Sequence, residues 1–219
     1  MKLRRIFDLS LTLVTIPIWG PIFASLCLVK YLADGGPVFY LSERLGRDSS
    51  PIKIYKFRTM VRDTEFISAQ IKNLGRTGFE AIPLDCPVYT STGRFFERFQ
   101  FVELPQLINV LFGDLSLIGY RPLPREHYMQ LQAELGEDLL RQRHAGLPGI
   151  TGFAQLSGKH ELSNEERLRI EIAEVDLFNR ERFFEFLIVY LCIILLTPLF
   201  IISGRNRELK KLKARFLKI

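Results

Sequence analysis

Apolar positions collect at the two ends of the chain and break into shorter patterns between them. Residues 6–29 carry one charge, Asp8. As a helix rising ~1.5 Å per residue, that run is long enough to cross a bilayer. Pro17 and Pro21 fall inside it, each removing an amide N–H and crowding the preceding turn, so a break is expected at Pro17. Cations flank both ends (Arg4, Arg5 and Lys30). A helix that enters the membrane, bends at Pro17 and returns to the same face satisfies both features; a kinked full span is the alternative. Near the other end, FLIVYLCIILLTPLFII (186–202) has no charge and is broken by Pro198. A span, an interfacial helix and a core helix all fit that run.

Between these runs the periodicity shortens. VFYL (38–41) and IKIYKF (52–57) alternate as strands joined by the polar loop RLGRDSSP, which predicts a β-hairpin. Lys56 and Arg58 are two apart and share a face of the extended chain. Residues 61–92 show no dominant period. Leu104, Leu107, Ile108 and Leu111 then recur at helical spacing, with Pro105 suited to the first turn and Gly113 to the exit. Glu103 is thereby expected at a helix N-terminus, where amide groups favour an anion. GLPGITGFAQLSG (146–158) holds four glycines and a proline and is expected to be a loop whose backbone can approach a ligand. Ser163-Asn164-Glu165-Glu166, after Leu162, reads as a capping box. The helix it opens is expected to bury Leu168, Ile172, Val175 and Phe178, with Glu171 and Glu174 solvated.

Charge and composition narrow the partners. The 219 residues carry Lys+Arg 30 against Asp+Glu 24, a formal +6. Seven of the last fifteen residues are basic, directly after the C-terminal apolar run, as expected beside an anionic lipid surface. Aromatic-basic interleaving and helix-turn-helix patterning are lacking, so no nucleic acid partner is expected. Cys27, Cys86 and Cys192 have no disulfide or CxxC spacing, which leaves packing roles and a reducing compartment. His127, His144 and His160 lack ligand spacing, so a metal would have to be held by carboxylate and phosphate oxygens.

Five blocks in order resemble one family, the bacterial sugar transferases, monotopic polyprenyl-phosphate phosphoglycosyl transferases. They are RRIFDLSLTLVTIPIWGP, GPVFYLSERLG with IYKFRTM, ELPQLINVLFGDLSLIGYRPLP, LPGITGFAQLSG and LSNEERLRIEIAEVD. The resemblance implies an α+β, mainly helical fold with an N-terminal re-entrant membrane helix, a small β-hairpin and amphipathic interfacial helices. It divides the chain into a re-entrant helix (1–33), a cytosolic transferase-like domain (34–182), and an apolar membrane-associated helix with a basic tail (183–219). It further implies location at the cytoplasmic face of a bacterial inner membrane. The reaction implied moves a sugar-1-phosphate from a nucleotide diphosphate sugar to polyprenyl phosphate, starting exopolysaccharide, O-antigen or glycan assembly. In the family an Asp–Glu pair with Mg²⁺ does this: the Asp attacks the β-phosphorus, nucleoside monophosphate leaves, and the lipid phosphate takes the phosphosugar. Splitting one displacement into two lowers each barrier.

Carried over by position, Lys56, Arg58 and Arg121 are expected as phosphate-facing cations, Arg44 as a further substrate contact, and Glu103 as the second acid and metal ligand. The nucleophile position is Val102. A valine neither attacks phosphorus nor binds a metal, and Glu103 is displaced by ~100° around the turn. Glu97 stands where the family generally has an arginine associated with lipid phosphate. Tyr120 replaces a proline, Leu147 a basic or polar residue, and Glu171 an aspartate. Two readings follow: a transferase using Glu103 by a modified route, with Asp114 or Glu171 assisting, or an inactive relative acting as scaffold or regulator. A homo-oligomer or an active transferase is the expected protein partner.

Overall fold

The computed structural model describes residues 2–74, 82–157, 162–179 and 183–203. Its elements run α1 (Lys2–Val14), α2 (Ile16–Asp34), β1 (Phe39–Leu45), β2 (Pro51–Phe57), α3 (Thr64–Asn73), α4 (Ser91–Arg98), α5 (Gln106–Phe112), β3 (Ser116–Ile118), α6 (Arg125–Leu135), α7 (Glu137–His144), β4 (Gly149–Thr151), α8 (Phe153–Leu156), α9 (Asn164–Asn179) and α10 (Phe183–Ser203). The chain is mainly helical, with β1 and β2 forming a two-stranded antiparallel sheet. Contacts gather it into two units. Unit 1 holds residues 1–13, 43–54 and 107–219; unit 2 holds 14–42 and 55–106.

The break in the N-terminal helix falls at Thr15, two residues ahead of the expected Pro17. Pro17 occupies the first turn of α2, where its missing N–H leaves no bond unmade. Continuing α1 through it would instead drive the ring into the carbonyl one turn back. α2 is long and apolar enough to cross a membrane and is largely exposed.

Unit 1 is built around a short parallel pair, β3 on β4, with Ser116 opposite Gly149 and Ile118 opposite Thr151. This corrects the expectation of a loop at 146–158. Gly149 and Gly152 serve backbone approach to backbone: a Cβ would lie 2.1 Å from Gly119 N at the first and 2.5 Å from Gly119 O at the second, so no side chain fits. Leu115, Ile118, Phe153, Val189, Tyr190 and Ile193 form the apolar centre beneath the pair. α1 packs on this core through Leu3, Phe7 and Leu11 and through buried charge. Asp8 is fully buried and accepts from Leu117 N at 3.0 Å, Ser116 Oγ at 2.7 Å and Tyr190 Oη at 2.7 Å. Arg4, also buried, donates to Ser116 Oγ at 2.8 Å and to the carbonyls of Ile118 and Leu147. Arg5 donates to the carbonyls of Val110 and Leu111 in the last turn of α5. Two cations expected to flank a membrane segment thus satisfy backbone acceptors inside this unit. α10 continues through Pro198 to Ser203, and the basic tail beyond it lies outside the described residues.

Unit 2 has an aromatic core. Phe57 stacks on Phe39 at 5.5 Å and meets the edge of Phe96 at 5.0 Å, with Phe23 of α2 beside them. The expected flanking cation Lys30 is fully buried here. It pairs with Asp34 one turn on and donates to Thr90 Oγ1 (3.1 Å) and Thr92 Oγ1 (2.9 Å). This network joins the end of α2 to the start of α4. Asp63 and Thr90 cap α3 and α4 by accepting from Phe66 N and Gly93 N.

Candidate functional site

The expected site residues divide between the units. Lys56, Arg58, Val102 and Glu103 belong to unit 2, Arg44 and Arg121 to unit 1. Lys56 lies half-buried on β2. Arg58 follows β2 and is buried. One of its terminal nitrogens donates to Asp34 O at 2.9 Å and Gly35 O at 3.0 Å, carbonyls at the end of α2. Its Nε has no partner among the described residues. Arg44 sits within β1 and not in the hairpin loop as expected, because the strand continues through Leu45, where Leu45 N donates to Leu123 O at 2.9 Å.

A 3₁₀ turn, Phe101–Glu103, leads toward α5. Glu103 closes that turn, with its amide donating to Gln100 O at 3.3 Å, so it stands three residues before the first residue of α5. Val102 is buried, 7% exposed. Its side chain can neither act as a nucleophile nor donate an electron pair to a metal. Glu97, on the last turn of α4, accepts from Thr59 Oγ1 at 2.9 Å. The reversed charge thereby has a local partner in the KFRTM segment.

Glu171 and Glu174 correct the expectation of solvated acids: both are buried, at 2% and 1% exposure. α7 and α8 cover the face of α9 that carries them. Glu171 Oε2 pairs with Arg143 Nε at 2.5 Å, and Arg143 also donates to Arg121 O at 2.6 Å. Glu174 Oε1 accepts from Phe153 N at 3.3 Å. Tyr120 lies under Arg143, whose guanidinium carbon is 4.2 Å from the ring centroid; its hydroxyl donates to Gly46 O (3.1 Å) or Gly146 O (3.2 Å). Burial first, and then neighbouring Arg143, lowers the His144 pKa to about 4. Its Nδ1 is 2.8 Å from Leu140 O and its Nε2 3.1 Å from Arg143, an arrangement suited to the neutral ring with the proton on Nδ1. Sequence spacing offered no signal for this cluster, since Arg143 and His144 lie on α7 and Glu171 on α9.

The magnesium that the resemblance implies needs about six oxygens, usually with one or two carboxylates from protein. At the dyad only Glu103 offers one, and no group of three or more His, Cys, Asp or Glu able to hold a metal occurs among the described residues. Among the described residues, Glu103 is the one dyad carboxylate that could hold magnesium, with the remaining oxygens coming from phosphate and water.

The five blocks, the hairpin and the GYRP segment seated on β3–β4 define a sugar transferase type of chain. The family model for the bacterial sugar transferases matches residues 1–179, and the chain belongs to that family. It is 35% identical over 176 residues to a Bacillus subtilis protein described as an uncharacterised sugar transferase, EpsL, covering 80% of this chain and 79% of that one. It is 32% identical over 189 residues to a UDP-N-acetylgalactosamine-undecaprenyl-phosphate N-acetylgalactosaminephosphotransferase of Aeromonas hydrophila, covering 86% of this chain. It is 34% identical over 157 residues to the UDP-glucose:undecaprenyl-phosphate glucose-1-phosphate transferase of Escherichia coli, covering 71%. The aligned segments span 42% and 31% of those two enzymes.

Proposed function

We propose that this protein acts at the membrane step that begins polyprenyl-linked glycan assembly, as a phosphosugar-transferase relative that has lost its covalent chemistry. The observation that carries this reading is Val102: a buried hydrocarbon stands where the family's attacking carboxylate is expected. Glu97 supports it, since an anion beside the acceptor position repels a lipid phosphate. The relatives named for undecaprenyl phosphate and a nucleotide sugar support the ligand class. By the family pattern, Lys56 in unit 2 and Arg121 in unit 1 are each phosphate-binding cations, while Arg58 holds the carbonyls at the end of α2. Magnesium would arrive with those phosphates, with Glu103 as its single protein carboxylate. The break at Thr15 supports a helix that dips into the inner membrane from the cytoplasmic face, with α10 and the basic tail as a second membrane contact. The partner is an active transferase, or a second copy of this chain, in the same pathway.

A second reading is favoured by retention of Lys56, Glu103 and Arg121. In it, sugar-1-phosphate passes to polyprenyl phosphate with release of nucleoside monophosphate, through Glu103. One assay separates the two. Protein in nanodiscs receives Mg²⁺, polyprenyl phosphate and a panel of UDP-sugars, with UMP release measured beside Val102→Asp and Val102→Asp/Glu97→Arg. Silence from the unmodified chain with turnover in either variant supports lost chemistry. Turnover by the unmodified chain that disappears in Glu103→Gln establishes the second reading.

A further inference from the structure

α4 carries different chemistry on its two sides. On the inner side Phe96 is fully buried against Phe57, and Glu97 accepts from Thr59 Oγ1. On the outer side Phe95 and Phe99 are four residues apart, hence neighbours on the helix surface, and stand 47% and 49% exposed. Their ring centroids are 4.9 Å apart. Phe101 of the following 3₁₀ turn joins both, 5.7 Å from Phe95 and stacked on Phe99 at 6.1 Å. It also meets Phe96 at 6.4 Å, so the exposed rings continue outward from the aromatic core of unit 2. Phe101 directly precedes Val102, the position of the missing nucleophile.

Arg94 and Arg98 repeat the four-residue spacing beside this pile, and both are exposed. Neither side chain has a carboxylate partner among the described residues. Three clustered rings open to water, rimmed by cations, mark a surface that a ligand or partner covers. The occupant that matches both halves is an apolar chain ending in an anion, a lipid phosphate. Phospholipids and polyprenyl phosphates share that chemistry. Charge favours the second: a terminal phosphate monoester carries about −1.5 to −2 near neutral pH, which suits two guanidinium groups, whereas a phospholipid diester carries a single charge. The place of the pile, one residue before position 102, favours it too.

We propose that the outer face of α4 holds polyprenyl phosphate, with Arg94 and Arg98 on the phosphate and Phe95, Phe99 and Phe101 along the first isoprene units. Arg98 lies ~100° round the helix from position 97, where the family generally has its lipid-phosphate arginine. Glu97 repels the phosphate from that position, and the two arginines grip it on the outer face. Loss of chemistry and retention of the lipid are then compatible, because the acceptor is bound out of line with position 102. This assignment rests on the proposed ligand class and names where that ligand is held.

Photo-crosslinking tests it. The full chain in phosphatidylcholine nanodiscs receives a benzophenone-tagged geranylgeranyl phosphate, with undecaprenyl phosphate, hexadecyl phosphate and phosphatidylglycerol as competitors in separate arms. Label is expected within residues 94–101, with undecaprenyl phosphate the strongest competitor. The double variant Arg94→Gln/Arg98→Gln is expected to weaken that competition about tenfold or more, the scale of a lost charge-assisted contact. Phe99→Leu keeps an apolar side chain without the ring and is expected to narrow the preference over hexadecyl phosphate. Arg169→Gln is the control, an exposed arginine paired with Glu165. Equal competition by the three lipids would assign the face to bulk lipid and overturn the proposal, as would label that falls elsewhere. Undecaprenyl phosphate competing equally in the unmodified chain and the double variant would also overturn it, yet leave the functional reading standing. Failure of undecaprenyl phosphate to compete at all would remove both.

Discussion

The Thr59 hydroxyl donates to Glu97 Oε1 at 2.9 Å, joining the segment after β2 to the last turn of α4. The carboxylate that departs from the family pattern is held by a residue of the KFRTM motif itself. Thr59→Val removes the donor and is expected to lower stability by about 1 kcal/mol, the net worth of a partly buried hydrogen bond. Glu97→Gln keeps an acceptor and is expected to stay within about 0.5 kcal/mol. Thermal unfolding of both variants in detergent checks this. An equal loss in the two would mean the bond contributes nothing specific.

Asp8 is the deepest charge in α1, and its three acceptor contacts with Ser116, Leu117 and Tyr190 connect residues far apart in sequence. Asp8→Ala leaves those donors unsatisfied in the interior and is expected to cost about 3 kcal/mol or more. Tyr190→Phe removes one contact and is expected to cost about 1–2 kcal/mol. Protease resistance of unit 1 is the readout, and wild-type resistance in Asp8→Ala would contradict the packing of α1 against β3.

The Arg143–Glu171 pair is buried on both sides, at 1% and 3% side-chain exposure. Removing one partner strands the other charge, so Glu171→Gln is expected to destabilise by about 3–5 kcal/mol. Replacing both, as Arg143→Met with Glu171→Leu, is expected to recover much of the loss. A double-mutant cycle on unfolding midpoints measures the coupling; strict additivity would argue that the pair is incidental.

His144 gives a pH signature. Its folded pKa of about 4 lies below the value of 6.5 for an unperturbed histidine. Between those values the unfolded chain binds a proton that the folded chain refuses, so stability is whole above pH 6.5 and falls as pH drops toward 4. The linked loss is on the order of 3 kcal/mol. His144→Asn is expected to be less stable at pH 7 but to show a flatter profile across that window. An unchanged profile in the variant would assign the acid sensitivity to other groups.

Local signals were legible where the physics is local. The capping box at Ser163 forms as read. The hairpin is present, although β1 extends further than its alternation suggested. Gly113, the expected exit of α5, adopts φ +94, a conformation that side chains other than glycine rarely take. Leu168, Val175 and Phe178 are buried on α9 as their spacing required, while Ile172 is half-buried. The charged residues were misread for a common reason. Lys30 has Asp34 one turn on and finds its other partners at Thr90 and Thr92, whereas Arg4, Glu171 and Glu174 look solvated or membrane-flanking in one dimension, since nothing beside them in sequence could pay for their burial. Their partners lie on other elements, as with Ser116, 112 residues from Arg4.

By itself the amino-acid sequence determined the family, the hairpin, the α5 and α9 helices, and the replacement of the expected nucleophile by Val102. These depend on residue identity, nearest-neighbour geometry and short periods. Only the tertiary structure decided that the glycine-rich block contains a strand with its partner, that α1 is anchored through Asp8, and that Arg143 neutralises Glu171. Each of those depends on which distant backbone or side chain supplies the missing hydrogen-bond partner, and a buried charge has no fixed energy until that partner is known.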